Sequence, residues 1–147
     1  MRASLAIVLL SLFVGTAVQS GCSEREVLSK KEAEVIMAEA RQLEQQQRLH
    51  RAYYKYKQVE TTYLGADPMH DEAWDAAQRI RMSITAQRQQ IEALLRQYFA
   101  AHGTYPSSLQ EIRDQLPARI SATLDGFIYE RRSNTAFMLD DGIVGGT

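Results

Sequence analysis

Between Lys30 and Ala101 apolar residues recur at three- and four-residue steps, and one short stretch, LGADPMHDEAW, divides them into two runs. That period belongs to amphipathic helices, which must bury their stripes against something. The first stripe is Ile36, Ala40, Leu43, Ala52, Tyr56, Val59 and Tyr63. Gln45, Gln46 and Gln47 interrupt it and weaken the packing expected of its N-terminal half, but the pattern predicts one long helix from Lys30 to Tyr63. In the dividing stretch, Gly65 suits a left-handed stop, Asp67 a cap and Pro68 a first helical position. Asp71 and Glu72 complement the positive end of a new helix. The second stripe is Trp74, Ala77, Ile80, Ile84, Ile91, Leu94, Leu95 and Tyr98, and it predicts a helix from Pro68 to Ala101. Two long helices with a short connection should form an antiparallel hairpin.

The stretch that follows, YFAAHGTYPSSLQEI, punctuates strongly. Gly103 is placed to end the helix, and Tyr105-Pro106 forces an extended corner. Ser107 with Gln110, or Ser108 with Glu111, predicts a capping box for a short helix through Leu116, which Pro117 ends. Two strands follow, Phe127 to Arg131 and Thr135 to Leu139, joined through Ser133-Asn134. Phe127 and Tyr129 share one face, as do Phe137 and Leu139, so a β-hairpin would set these side chains against the long helix. The expected fold class is α+β: a long antiparallel helical hairpin, a short helix and a small antiparallel β-hairpin.

The N-terminus, MRASLAIVLLSLFVGTAVQSGCSERE, is an address rather than part of that fold. Arg2 precedes an apolar run of about ten residues, too short for the roughly 20 a membrane-spanning helix needs and typical of a signal-peptide core. Ser20 and Gly21 precede Cys22, the only cysteine, so no intrachain disulfide can form. The segment resembles a bacterial lipoprotein signal, which implies cleavage before Cys22 and lipidation of its thiol. Gln19 departs from that pattern, where an aliphatic or small residue is usual. Cleavage at an ordinary site after Ala17, or an uncleaved anchor, are the alternatives, and each places the rest of the chain outside the cytoplasm. Ser23 after the cysteine resembles an outer-membrane rather than an inner-membrane sorting signal. The expected organisation is a signal peptide over 1–21, a tether and first long helix over 22–66, and a second long helix with the α+β region over 67–147.

From Ile84 onward the order of elements resembles the soluble part of type II secretion pseudopilins and type IV pilins. The Gly103, Tyr105, Pro106, Leu109 set carries the resemblance, with Asp141-Gly142 and Gly145-Gly146 near the end. It implies a pseudopilin-like fold held by Gly103, Tyr105, Pro106, Phe127, Tyr129 and Phe137. Pilins and pseudopilins carry a hydrophobic assembly helix after a prepilin-peptidase site; here the apolar run is followed by a cysteine and a hydrophilic helix. Separately, Ala52, Tyr56 and Val59 resemble the small-aromatic-small spacing of one tetratricopeptide unit, although a solenoid needs about three.

The terminal LDDGIVGGT is similar to the calcium loop of major pseudopilins, which makes Asp140 and Asp141 candidate ligands through hard oxygen donors; the alternative is a solvent-exposed turn. His50, His70 and His102 lack the spacing of a helical metal pair, and His70-Asp71-Glu72 reads as first-turn charge. RLHRAYYKYK, over 48–57, interleaves basic and aromatic residues, but a net charge of -1 gives no global basic field for nucleic acid. Ser107, Ser108, Glu111 and Asp114 lack partners for catalysis. These readings converge on a non-enzymatic, lipid-anchored envelope protein facing the periplasm. It would contact the membrane through its N-terminal lipid and a protein partner in the envelope, without nucleic acid or a small-molecule substrate, in a type II secretion or type IV pilus setting. A helical adaptor, tetratricopeptide-like or pilotin-like and binding a protein through the region Tyr53–Trp74, and an atypical minor pseudopilin are the alternatives.

Overall fold

The computed structural model describes residues 27–143, so Cys22 and the Gly145-Gly146 pair lie outside the described residues. The fold is mostly helical with a C-terminal antiparallel β-hairpin, the α+β class. In chain order, α1 is Lys30–Gln45, α2 is Leu49–Thr62 and α3 is Met69–His102. A 3-10 helix at Leu109–Gln115, α4 at Ala118–Ser121, a second 3-10 turn at Leu124–Gly126, and strands β1 (Ile128–Ser133) and β2 (Ala136–Asp140) complete it.

The single helix expected from Lys30 to Tyr63 is two helices. Arg48 N–H donates to Leu43 O at 2.9 Å and Gln47 N–H to Glu44 O at 3.0 Å, the paired bonds of a Schellman closure. Gln47 takes the left-handed position at φ 60, where a β-carbon costs roughly 1–2 kcal/mol. No glycine marks the break, because the antiparallel packing of α1 on α2 enforces it. Ser29 caps α1, its side chain accepting from Glu32 N while Glu32 returns to Ser29 N. Leu28 N–H donates to Thr62 O at 3.0 Å, which brings the start of the described chain to the far end of α2.

Fully buried alanines, Ala33 and Ala40 on α1, Ala52 on α2, Ala73 and Ala77 on α3, let these helices approach closely around Tyr56 and Ile80. The inward stripe of α3 is rotated from the expected one at its start. Trp74 is 48% exposed, and Ala73, Ala76 and Ala77 take the inner face instead. A residue as wide as tryptophan does not fit where α3 meets α2 at alanine distance. Gln87 fills the inward turn missing between Ile84 and Ile91; it is buried, and Thr123 Oγ1 donates to its Oε1 at 2.7 Å.

Gly103 ends α3 as expected, at φ 71 with its N–H on Phe99 O. Pro68 is the residue before the helix rather than its first, while Asp67 Oδ1 accepts from Met69 N at 3.1 Å. Neither expected capping box after the Tyr-Pro corner forms. Ser107 N–H instead donates to Glu111 Oε1 at 2.7 Å, and Tyr98 OH to Glu111 Oε2 at 2.9 Å, so this carboxylate ties the corner to α3. The segment that follows is 3-10, whose three-residue period places both Leu109 and Ile112 in the core. After Pro117, Ile120 of α4 and Leu124 of the second 3-10 turn add buried side chains the sequence pattern did not reveal. The strands lie one residue later than expected at each start, with Tyr129 opposite Leu139 and Arg131 opposite Phe137.

Candidate functional site

Of the residues singled out for the C-terminal fold, Tyr105, Pro106, Tyr129 and Phe137 converge. Pro106 is buried and its carbonyl accepts Tyr129 OH at 2.7 Å. Tyr105 N–H donates to Asn134 O at 3.1 Å in the β-turn, and its carbonyl accepts Arg131 Nη1 at 3.2 Å. The Tyr105 ring stacks on Phe99 at 4.7 Å and meets Phe137 edge-on at 4.6 Å; Phe137 lies 6.1 Å from Tyr129. These rings join the corner, the hairpin and the end of α3 at separations where aromatic pairs attract. Gly103 opens the corner, and Phe127 lies elsewhere, against α2.

Phe127 packs on a residue the sequence reading had set aside. The His50 ring, in the first turn of α2, meets Phe127 edge-on at 5.0 Å and 82°. Its Nε2 is buried without a hydrogen-bond partner. A β-carbon on Gly126 would collide with the imidazole, so only glycine admits the ring here. Gly142 sits at φ 65, and a β-carbon there would come 2.6 Å from Gly126 O. Tyr54 OH, one turn along α2, donates to Gly142 O. His50 is therefore a plug in a socket made by Gly126, Phe127 and the loop after β2, and it fastens the C-terminal module to the helices. Gly126 and Gly142 each follow an aspartate and read in sequence as turn residues; their shared closeness to His50 is a long-range fact.

Burial lowers the His50 pKa from its ordinary value of 6.5, and the backbone and charge of Asp141 oppose this only in part. A depressed pKa means the unfolded chain binds the proton more readily, so stability is complete above 6.5 and falls as pH drops through it. We expect the melting midpoint to decline from pH 7 toward pH 5.5, and His50→Gln to flatten that slope. The carboxylates of Glu32, Asp67 and Glu111, held below the usual range by hydrogen bonds from Ser29, Tyr63 and Ser107 respectively, act in a separate window near pH 4 and below.

The calcium candidates are committed to local bonds. Asp140 Oδ1 accepts from Gly142 N at 2.8 Å and Asp141 Oδ1 from Ile143 N at 3.1 Å. Asp141 Oδ2 lies 3.9 Å from Arg88 Nη1. These are turn-forming contacts that build the His50 socket. Among the described residues, no three His, Cys, Asp or Glu side chains gather as a metal set. His70 lies against Asp71, and His102 stacks on Tyr98 at 4.1 Å with Nδ1 2.9 Å from Tyr98 O.

Two clefts open on the helical part. One of about 470 Å³, beside the plug, is lined by Arg48, His50, Arg51, Tyr54, Thr123 and Asp125 among others. The other, about 250 Å³, lies between α1 and the start of α3, with Lys30, Glu34, Met37, Arg41, Asp67 and Glu72 in its walls. Ion pairs Lys30–Asp67 at 3.3 Å and Arg41–Glu72 at 3.2 Å span it. Set against protein families, curated proteins and solved structures, the chain has no match.

Proposed function

We propose that this chain is a non-enzymatic, lipid-anchored protein of the cell envelope that acts by protein contact, in a type II secretion or type IV pilus setting, with a pseudopilin-like C-terminal module. The observation that supports the reading is the place in the fold of residue 28, six positions after the lipoprotein-like Cys22. Residue 28 is bonded to Thr62 beside the start of α3, and the Tyr-Pro corner begins after its end. At 1.5 Å per residue the 34 residues of α3 span about 51 Å. A lipid on Cys22 would thus hold one end of the molecule while the aromatic corner and hairpin stand away from it. Among the described residues no helix is long and apolar enough to cross a membrane; in this reading the anchor is the lipid on Cys22. The side chains with chemical potential in the corner, Ser107 and Glu111, are occupied in holding it together.

Metabolic labelling with a fatty-acid analogue tests this: label should enter the wild type and be lost in Cys22→Ala. Equal labelling of both, or mature protein in the medium lacking Cys22, overturns the anchor. A second reading, the helical adaptor, is favoured by the break at Gln46–Arg48, which turns the first run into two helices packed through Ala40, Ala52, Tyr56 and Val59. Crosslinks from the region Tyr53–Trp74, with none from the hairpin, would select it.

A further inference from the structure

The end of the molecule where the chain enters the fold has an unusual surface. Leu64, at the tip of the α2–α3 loop, is 75% exposed, and Val27 is 58% exposed. Both lie where Leu28 N–H meets Thr62 O, so they share one end of the helices. The Leu64 tip is not slack. Tyr63 OH donates to Asp67 Oδ2 at 2.6 Å, Lys30 pairs with the same oxygen at 3.3 Å, and Met69 N–H donates to Asp67 Oδ1 at 3.1 Å. Tyr63 is itself 4% exposed. Asp67 and Tyr63 are thus turned inward to brace the loop, and that bracing holds the apolar Leu64 outward. The other exposed apolar residues, Val35, Tyr54, Trp74 and Met82 on helices and Ile128 on β1, are spread over separate elements, as on any protein surface.

Four residues lie between Cys22 and Val27, so the five steps from one to the other span at most about 18 Å even when fully extended. From these facts we propose that the Val27–Leu64 end rests on the lipid bilayer, with Leu64 entering the interface between headgroups and acyl chains. The proposal rests on anchoring at Cys22, because only a short tether confines this end to the surface. The contact is apolar rather than electrostatic. Glu32, Glu34, Glu60, Asp67 and Asp71 outnumber Lys30, Lys31 and Lys57 there, so a zwitterionic surface is the one that fits. Two attachments, lipid and loop, fix an orientation that a single flexible tether leaves free.

The test is hydrogen exchange on the mature chain, from Cys22 onward, coupled through Cys22, its only thiol, to a maleimide lipid in phosphatidylcholine vesicles. Coupling supplies the anchor chemically, so the result reads the contact alone, while fatty-acid labelling in cells reads the native anchor. Exchange at residues 64–66 should slow several-fold on vesicles relative to the free chain, with no change at 133–135 in the β-turn. Leu64→Asp should restore the free rate, and because Leu64 is exposed the variant folds. Equal rates at 64–66 with and without vesicles, as expected if this tip meets a protein instead, overturn the proposal. So does a slowing that survives Leu64→Asp.

Discussion

Replacing Tyr56 by alanine should cost about 3–5 kcal/mol of stability, the range for truncating a buried aromatic side chain. Tyr56 is 2% exposed on α2 between α1 and α3, and its neighbours Ala52, Ala40 and Ala77 are too small to close the void. Its hydroxyl donates to Glu44 Oε2 at 3.1 Å, and burial, ahead of the Glu44 charge, pushes its pKa up to about 12. Tyr56→Phe separates the ring from the hydroxyl. It should cost only about 1 kcal/mol, because Glu44 keeps Arg79 at 2.9 Å. Denaturant unfolding of the two variants checks this; equal losses would mean that the hydroxyl, not packing, holds the three helices together. Since a domain of this size is stable by roughly 5–15 kcal/mol, the alanine variant should be close to unfolded at 37 °C.

Phe127→Ala should cost a similar ~3–5 kcal/mol by the same cavity argument, but the loss should be unevenly felt. Phe127 is 7% exposed and forms the wall of the socket that receives His50. Without it the imidazole is wetted, the hairpin and the loop after β2 lose their hold on α2, and their amides should exchange at least ten-fold faster. Amides of α1 and the first half of α3 pack on α2 through Tyr56 and Ile80 and should keep their protection. The acid-side decline in melting midpoint should also shrink, because a solvated His50 no longer has a lowered pKa. Uniform loss of protection along the chain would show that the two regions unfold as one unit.

Much of the fold was legible because its signals are local. The stripes of α2 and α3, the glycine at 103 and the two strands of the hairpin each follow from a period or a single backbone requirement. What escaped depended on distant partners. The closure at Gln47 uses a residue with no preference for left-handed backbone, and only the packing of α1 back onto α2 puts it there. Trp74 looked like part of the core because it is large and apolar; the alanines opposite decide otherwise. Gln87 is polar and stood outside the expected stripe, yet it is buried and Thr123, 36 positions away, donates to it. The aromatic corner was found from Tyr105-Pro106, whereas the His50 socket was not, since Gly126 and Gly142 lie far from His50 in the chain.

Helix α3 contains neither glycine nor proline from Met69 to His102; α2 packs along it, and the segment after the Tyr-Pro corner meets its far end. Nothing in it can hinge, so it works as a lever. A tilt of about 10° at its base displaces the far tip by about 9 Å over its 1.5 Å-per-residue length. A force applied at the aromatic end would act on the opposite end through that whole length as its arm.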